Sequence, residues 1–93
     1  MRADLQEKVQ RYRELLERAI SGASMAAPPK SHLAGIGDDF SQMASSYYSD
    51  GIYFMENGDP VNALVCFSYG HAWLDAGARL GVFKVSDDVL FSV

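Results

Sequence analysis

Four polar residues on one face of a predicted helix are the first candidates for chemistry in this sequence. At helical spacing they fall within an arc of about 80°, and they are Ser68, His71, Asp75 and Arg79. The four-residue steps allow His71 to hydrogen bond Asp75, and Asp75 to pair with Arg79. A histidine held by a carboxylate can act as a general base, and Asp50 could supply a second acid. The catalytic candidates are therefore His71, Asp75, Arg79 and Asp50.

Tyrosines close to this strip are the candidates for ligand binding. Predicted helix 2 is dense in tyrosines, with Tyr47, Tyr48 and Tyr53, and Tyr69 joins them from helix 3 beside Ser68. Buried tyrosine hydroxyls need hydrogen-bond partners, which Asp50 or His71 could provide, so a buried polar network is an alternative to a pocket. The strip itself could equally be a solvated helix face. The structural interpretation is favoured because no nucleophile, oxyanion donor or cofactor motif accompanies these residues.

Composition excludes several classes of function. The chain has 93 residues, a net charge of −4 and 48% hydrophobic residues, which predicts one folded domain. Residues 31–93 hold two basic against eight acidic residues, and the basic residues of the first helix are interleaved with acids, so no nucleic-acid partner is expected. No uncharged stretch is apolar enough to predict a membrane span. No cofactor is expected.

Cysteine usage indicates a reducing compartment. Cys66 is the single cysteine and has no partner for an internal disulfide, and one cysteine with two histidines is too few for a structural zinc site. No metal site is therefore predicted. Charged residues and no apolar segment follow Met1, which favours a cytoplasmic location.

Apolar periodicity predicts three helices in a single domain over residues 1–93. Helix 1 is expected at about 3–21, a linker rich in Gly, Ala, Ser and Pro at 22–37, and helix 2 at 38–57. The later part of the linker, Ser31 to Gly37, could already be helical. Helix 3 is expected at 60–80, because Asp59 is a good N-cap and Pro60 suits the first helical position. A short apolar tail, 81–93, is expected to lie back over the bundle or to dock on a partner.

Helix 3 is predicted to be the central helix, since most of its circumference is apolar. Ala63, Gly70 and Gly77 recur every seven residues in the middle of its expected buried face, with Tyr69 and Leu80 among the large residues at the flank. Small residues in helices 2 and 3 also stand at spacings that resemble a tetratricopeptide-like hairpin. No second copy of that pattern follows, so only the packing of a hairpin is expected from it.

Residues 45–83 resemble a small archaeal family known as domain of unknown function 357. That family has a YY-x-D-A-x-YF segment, a GD turn, an NA-L step, a SYAH-like stretch and WLDAG-x-RLG. The matching residues here are Tyr47, Tyr48, Asp50, Tyr53, Phe54, Gly58, Asp59, Asn62, Ala63, Ser68, Tyr69, His71, Trp73, Leu74, Asp75, Ala76, Gly77, Arg79, Leu80 and Gly81. Gly51 and Gly70 depart from the usual alanines of the family. The resemblance implies a helical bundle and brings no established activity.

The sequence as a whole predicts an all-α fold, a three-helix antiparallel up-and-down bundle with a short C-terminal extension. The favoured function is a non-enzymatic protein-interaction or self-association module, with a homo-oligomer or another protein as partner. Three features motivate it: the narrow apolar stripe of helix 1, the apolar tail and the lack of a catalytic set. The alternative is a small-molecule binder or hydrolase that uses the cluster of His71, Asp75, Arg79 and Asp50.

Overall fold

Three long helices form an antiparallel up-and-down bundle in the computed structural model, which describes residues 4–85. The helices are α1 at Leu5–Gly22, α2 at His32–Glu56 and α3 at Pro60–Leu80. Two short strands accompany them, β1 at Ala23–Met25 and β2 at Phe83–Val85. The predicted all-α class with three helices is confirmed. The expectations for the rest of the tail, residues 86–93, lie outside the described residues.

Side-chain caps and glycine define the ends of α1 and α3. The Asp4 carboxylate accepts hydrogen bonds from the backbone N–H groups of Gln6 and Glu7, at 3.0 and 3.3 Å. The Asp59 carboxylate likewise accepts a hydrogen bond from the backbone N–H of Asn62, at 3.1 Å. These acceptors satisfy donors that the first helical turn leaves unpaired. At the other end of α3, Gly81 adopts φ 81°, the left-handed conformation that favours glycine, so α3 occupies its predicted range.

The second helix begins six residues earlier than the predicted residue 38. Ser31 is its N-cap, and the Ser31 hydroxyl accepts a hydrogen bond from the N–H of Ala34 at 3.1 Å. The Gly and Ala content of residues 32–37 indicated a linker, yet Ala34 and Gly37 are buried within the helix. Their small size is what packing requires there, because tertiary contact outweighs weak helix propensity. Most of the predicted linker is therefore helix or strand.

Two series of small residues face the interior of the bundle on α2 and α3. Both series have seven-residue steps, and all six members are buried: Gly37, Ala44 and Gly51 in α2, with Ala63, Gly70 and Gly77 in α3. A Cβ atom added to Gly70 would lie 3.2 Å from the carbonyl oxygen of Ala44 and 2.8 Å from Cδ2 of Leu16. The backbones of α2 and α3 therefore approach closely at this crossing, as the hairpin pattern predicted.

The central position of α3 is confirmed by its packing. It contacts both α1 and α2 extensively, whereas α1 and α2 make little contact with each other. The core that results contains side chains from every helix and from the segment after α3. Its buried members are Val9, Leu16, Ala19, Ala44, Ala63, Phe67, Leu74, Val82 and Phe83.

The strands connect the end of α1 to the segment that follows α3. β1 and β2 pair antiparallel, with Ala23 opposite Val85 and Met25 opposite Phe83. The N–H of Ala26 also donates to the carbonyl of Val82 at 2.8 Å. A Cβ on Gly77 would clash with the Phe83 ring, so this glycine leaves the space that the ring fills. The first part of the tail therefore packs on the bundle. This agrees with the expectation that the tail lies back over the helices.

The close crossing at Gly70 predicts a large effect of Gly70→Leu. The added side chain has no free space, so the free energy of unfolding should fall by at least about 1 to 3 kcal/mol. The matched control is Gly35→Leu in α2, where an added Cβ would meet nothing within 4 Å. There the free energy of unfolding should stay level or rise slightly, because leucine favours a helix more than glycine does. Urea unfolding followed by circular dichroism measures both, and equal effects would contradict the packing described.

Candidate functional site

The predicted polar strip of α3 is only partly enclosed. Ser68 and Arg79 are exposed, while His71 and Asp75 are half-buried. The predicted pairing of Asp75 with Arg79 is present, with Arg79 Nε 3.5 Å from Asp75 Oδ2. The Arg79 side chain is 58% exposed, so water screens this ion pair and its contribution to stability is small. The strip runs along the surface of the helix, with both of its ends in solvent.

Asp50 lies apart from this strip. Gly70 faces Ala44 across the helix crossing, and Asp50 stands six residues beyond Ala44, which is about 9 Å along the axis of α2. Its carboxylate is exposed. Burial raises the pKa of the Cys66 thiol, and the charges of Asp50 and Asp59 raise it further. The negative charge of Asp50 therefore acts on this thiol, and catalysis by the four-residue cluster stays a prediction.

The candidate binding tyrosines separate onto two sides of α2. The rings of Tyr47 and Tyr69 make an edge-to-face contact, with centroids 5.7 Å apart. The neighbouring Tyr48 points about 100° away around the helix and donates a hydrogen bond to the carboxylate of Glu17 in α1. The Tyr48 hydroxyl therefore donates to Glu17, a carboxylate that was not among the partners expected for it. Glu17 was missed because only the tertiary structure places α1 beside this part of α2.

A shallow groove between α1 and α2 surrounds the hydrogen bond of Tyr48 and Glu17. It has a volume of about 330 Å³ and exists because these two helices make little contact. Its lining residues are Glu17, Ile20, Ser21, Ser45, Tyr48 and Ser49. Arg13 Nε lies 3.7 Å from Glu17 Oε2, so a cation balances the carboxylate. The hydrogen bond to Glu17 and burial raise the pKa of Tyr48, which keeps the phenol neutral and able to donate.

An apolar stripe on the outer face of α3 is a further candidate for a binding surface. We name it the α3 outer stripe, and its members are Val61, Val65, Tyr69, Ala72, Ala76 and Leu80. Val61, Tyr69 and Leu80 are each more than half exposed, at 59%, 57% and 59%. The steps of four, four, three, four and four residues keep the stripe on one face of a helix.

The exposure of this stripe corrects part of the sequence interpretation. Tyr69 and Leu80 were expected at the flank of the buried face, but they are 57% and 59% exposed, and Tyr69 contacts α2 by the edge-to-face packing with Tyr47. The buried face instead centres on small residues with Phe67 and Leu74. The spacing of the stripe was visible in the sequence, but an apolar helix does not reveal which of two apolar faces its neighbours cover.

Two further classes of site can be assessed over residues 4–85. In that range no group of three His, Cys, Asp or Glu residues stands close enough to hold a metal ion. None of the helices there has the length and apolar character needed to cross a membrane. Within the described chain, the features that remain for function are therefore the polar strip, the groove and the α3 outer stripe.

Comparison with known proteins identifies one family. A family model described as "Protein of unknown function (DUF357)" matches residues 11–83. The match covers most of the chain and extends the resemblance noted at residues 45–83 back into α1. No curated protein and no solved structure matches.

The contact between Tyr48 and Glu17 predicts a loss of stability in Tyr48→Phe. Removing the hydroxyl deletes one hydrogen bond and leaves Glu17 accessible to water, so the free energy of unfolding at neutral pH should fall by about 0.5 to 1.5 kcal/mol. The raised pKa means that the contribution of Tyr48 is complete below pH about 10 and is lost as the pH rises through the pKa of the folded state. Stability should therefore fall more steeply at alkaline pH in the parent protein than in Tyr48→Phe.

The control for this substitution is Tyr53→Phe, which removes a hydroxyl from a side chain that is 61% exposed. Urea unfolding at neutral and alkaline pH compares the three proteins, and ultraviolet absorbance follows ionisation of the phenols. If Tyr53→Phe and Tyr48→Phe had the same urea unfolding curves at both pH values, the hydrogen bond to Glu17 would not contribute to stability.

Proposed function

Because the chain belongs to the DUF357 family, whose description assigns no activity, we propose from the properties of its surface that it is a protein-interaction module. In this proposal the module binds another protein through the α3 outer stripe and performs no catalysis. The observation that carries the proposal is the exposure of Val61, Tyr69 and Leu80 along one largely apolar face of α3. Scattered exposed apolar residues are ordinary on a soluble protein, but a continuous row of them is typical of a binding surface.

The position of the stripe on the bundle supports this proposal. Both other helices pack against α3 on its buried face, so the outer face of α3 belongs to a rigid element. Tyr69 is also held from the side by the ring of Tyr47. A rigid surface loses little conformational entropy on binding, and tyrosine adds apolar area with a polar tip. Both properties favour association with a protein surface.

The basis for association differs from the one that the sequence suggested. The narrow stripe of helix 1 was the first candidate, but Val9, Leu16 and Ala19 from that stripe are buried inside the bundle. They contribute to the core and present no surface to a partner. The α3 outer stripe takes their place in the proposal, because it is the apolar row that the fold leaves uncovered among the described helices.

Site-specific photo-crosslinking tests the proposal. A benzophenone amino acid replaces Tyr69 in the stripe, and in a second protein it replaces Tyr53, which is equally exposed on α2. After irradiation in a lysate of the source organism, mass spectrometry identifies the adducts. We expect one dominant adduct from position 69, which Val65→Lys should abolish by placing a charge in the stripe.

Both positions crosslink with random neighbours, so the comparison between them decides the result. Equal yields from positions 69 and 53, or an adduct that survives Val65→Lys, would show that the stripe is not a binding surface. Val65 is 43% exposed, so the substitution leaves the core intact. Circular dichroism of the purified variant confirms that it is folded.

A further inference from the structure

The groove between α1 and α2 is a second candidate for binding, separate from the α3 outer stripe. We propose that this groove binds a small neutral molecule with adjacent hydroxyl groups, such as a single sugar ring. The proposal depends on three properties of the groove: its fixed shape, the polar groups that the fold leaves available in it, and its balanced charge.

The shape of the groove is fixed by packing on both of its sides. α1 and α2 each pack on α3 but make little contact with each other, so a gap stays open between them. The hydrogen bond from Tyr48 to Glu17 crosses this gap, and the Tyr48 ring packs on Phe67 of the core with centroids 6.0 Å apart. The volume of about 330 Å³ is at the lower end of the range for ligand pockets. A small ligand therefore meets a preformed site.

The polar groups of the groove match those of a polyol. Three serines line it, Ser21 from α1 with Ser45 and Ser49 from α2. A serine hydroxyl both donates and accepts hydrogen bonds, as a sugar hydroxyl does, and these three make none within the described part of the chain. Glu17 adds a stronger acceptor, because its contacts with Tyr48 and Arg13 use Oε2 and leave Oε1 for a ligand.

The charge of the groove favours a neutral ligand. The charged residue of the lining is Glu17, and Arg13 Nε lies 3.7 Å from Glu17 Oε2, so the two charges offset each other. The carboxylate would repel a phosphate, in a chain whose net charge is already −4. An ammonium group would have to compete with Arg13. A ligand hydroxyl can donate to the carboxylate without displacing the arginine, and hydrogen bonds to a charged acceptor are the stronger kind.

The apolar atoms of the groove match the faces of a sugar ring. Ile20 lies on the α1 side, and Tyr48 lies on the α2 side. A sugar ring has C–H groups on its faces and hydroxyls around its edge, so it can contact both residues while its hydroxyls reach the serines. A purely apolar ligand would remove water from Glu17 and from the serines without replacing the hydrogen bonds that water makes. Hydroxyls on a compact ring therefore fit this lining best.

Nuclear magnetic resonance of the ¹⁵N-labelled chain tests the proposal. The probes are glucose, galactose, mannose and myo-inositol, with inorganic phosphate and putrescine as ionic comparisons. At least one of the four polyols should shift amide signals saturably, with a dissociation constant of about 1 to 10 mM. The shifted signals should belong to the residues that line the groove and to their neighbours. Phosphate and putrescine should give no saturable shifts there.

Substitution of the serines separates binding in the groove from binding elsewhere on the chain. The double variant Ser45→Ala and Ser49→Ala removes two hydroxyls from the groove and should weaken binding by at least about 2-fold. The control is Ser46→Ala, because Ser46 lies outside the lining and its hydroxyl accepts a hydrogen bond from Gln42 at 3.1 Å. All three serines are exposed, so both variants should fold, which circular dichroism checks.

The outcomes that overturn the proposal are distinct from those that concern the proposed function. The proposal fails if none of the four polyols gives saturable shifts at about 100 mM, ten times the highest expected dissociation constant. It also fails if the shifts lie outside the groove, if Ser46→Ala weakens binding as much as the double variant, or if the ionic probes alone saturate the groove. The photo-crosslinking from position 69 is decided separately, because that position lies on α3 and does not line the groove.

Discussion

The close approach of α2 and α3 is the constraint on which the rest of this structure depends. Gly70 permits this approach, and it belongs to two series of buried small residues in seven-residue steps, of which four of the six are glycines: Gly37, Gly51, Gly70 and Gly77. Each glycine in a helix interior disfavours the helix by about 1 kcal/mol relative to alanine. Close packing offsets that cost, since the Phe67 ring lies where a Cβ of Gly51 would be, and Phe83 fills the corresponding space at Gly77. Large aromatic side chains therefore complete the core that the glycines open.

This packing also decides which surfaces remain for function. Because α3 lies between its neighbours, it has one buried face and one outer face, and both are apolar. α1 and α2 contact α3 more than each other, which leaves the groove at Tyr48 and Glu17. The polar strip of His71, Asp75 and Arg79 occupies the remaining flank of α3. The same helix thus carries the core, the polar strip and the proposed binding face on different parts of its circumference.

Much of the fold followed from the sequence, and the errors have identifiable causes. The bounds of α3 were accessible because Asp59, Pro60 and Gly81 act locally on the ends of a helix. The bound of α2 at residue 38 was too late, and the alternative that residues 31–37 are already helical agrees with the structure. The linker was favoured because glycine and alanine suit a loop, whereas buried contacts stabilise them in a helix. The candidate site was less accessible. The pairing of Asp75 with Arg79 follows from spacing along one helix, but the effect of Asp50 on the pKa of the Cys66 thiol and the hydrogen bond of Tyr48 to Glu17 were not anticipated.

By itself, the sequence determined the features that depend on neighbours along the chain. These are the class of the fold, the number of helices, the caps of α3, the small residues of the crossing and the match to a family without an assigned activity. The tertiary structure alone decided which apolar face of α3 the other helices cover. It also decided which carboxylate the hydroxyl of Tyr48 meets. The physical reason is that helical periodicity defines the angle of a side chain about its own axis, whereas burial and pairing depend on where a second axis lies.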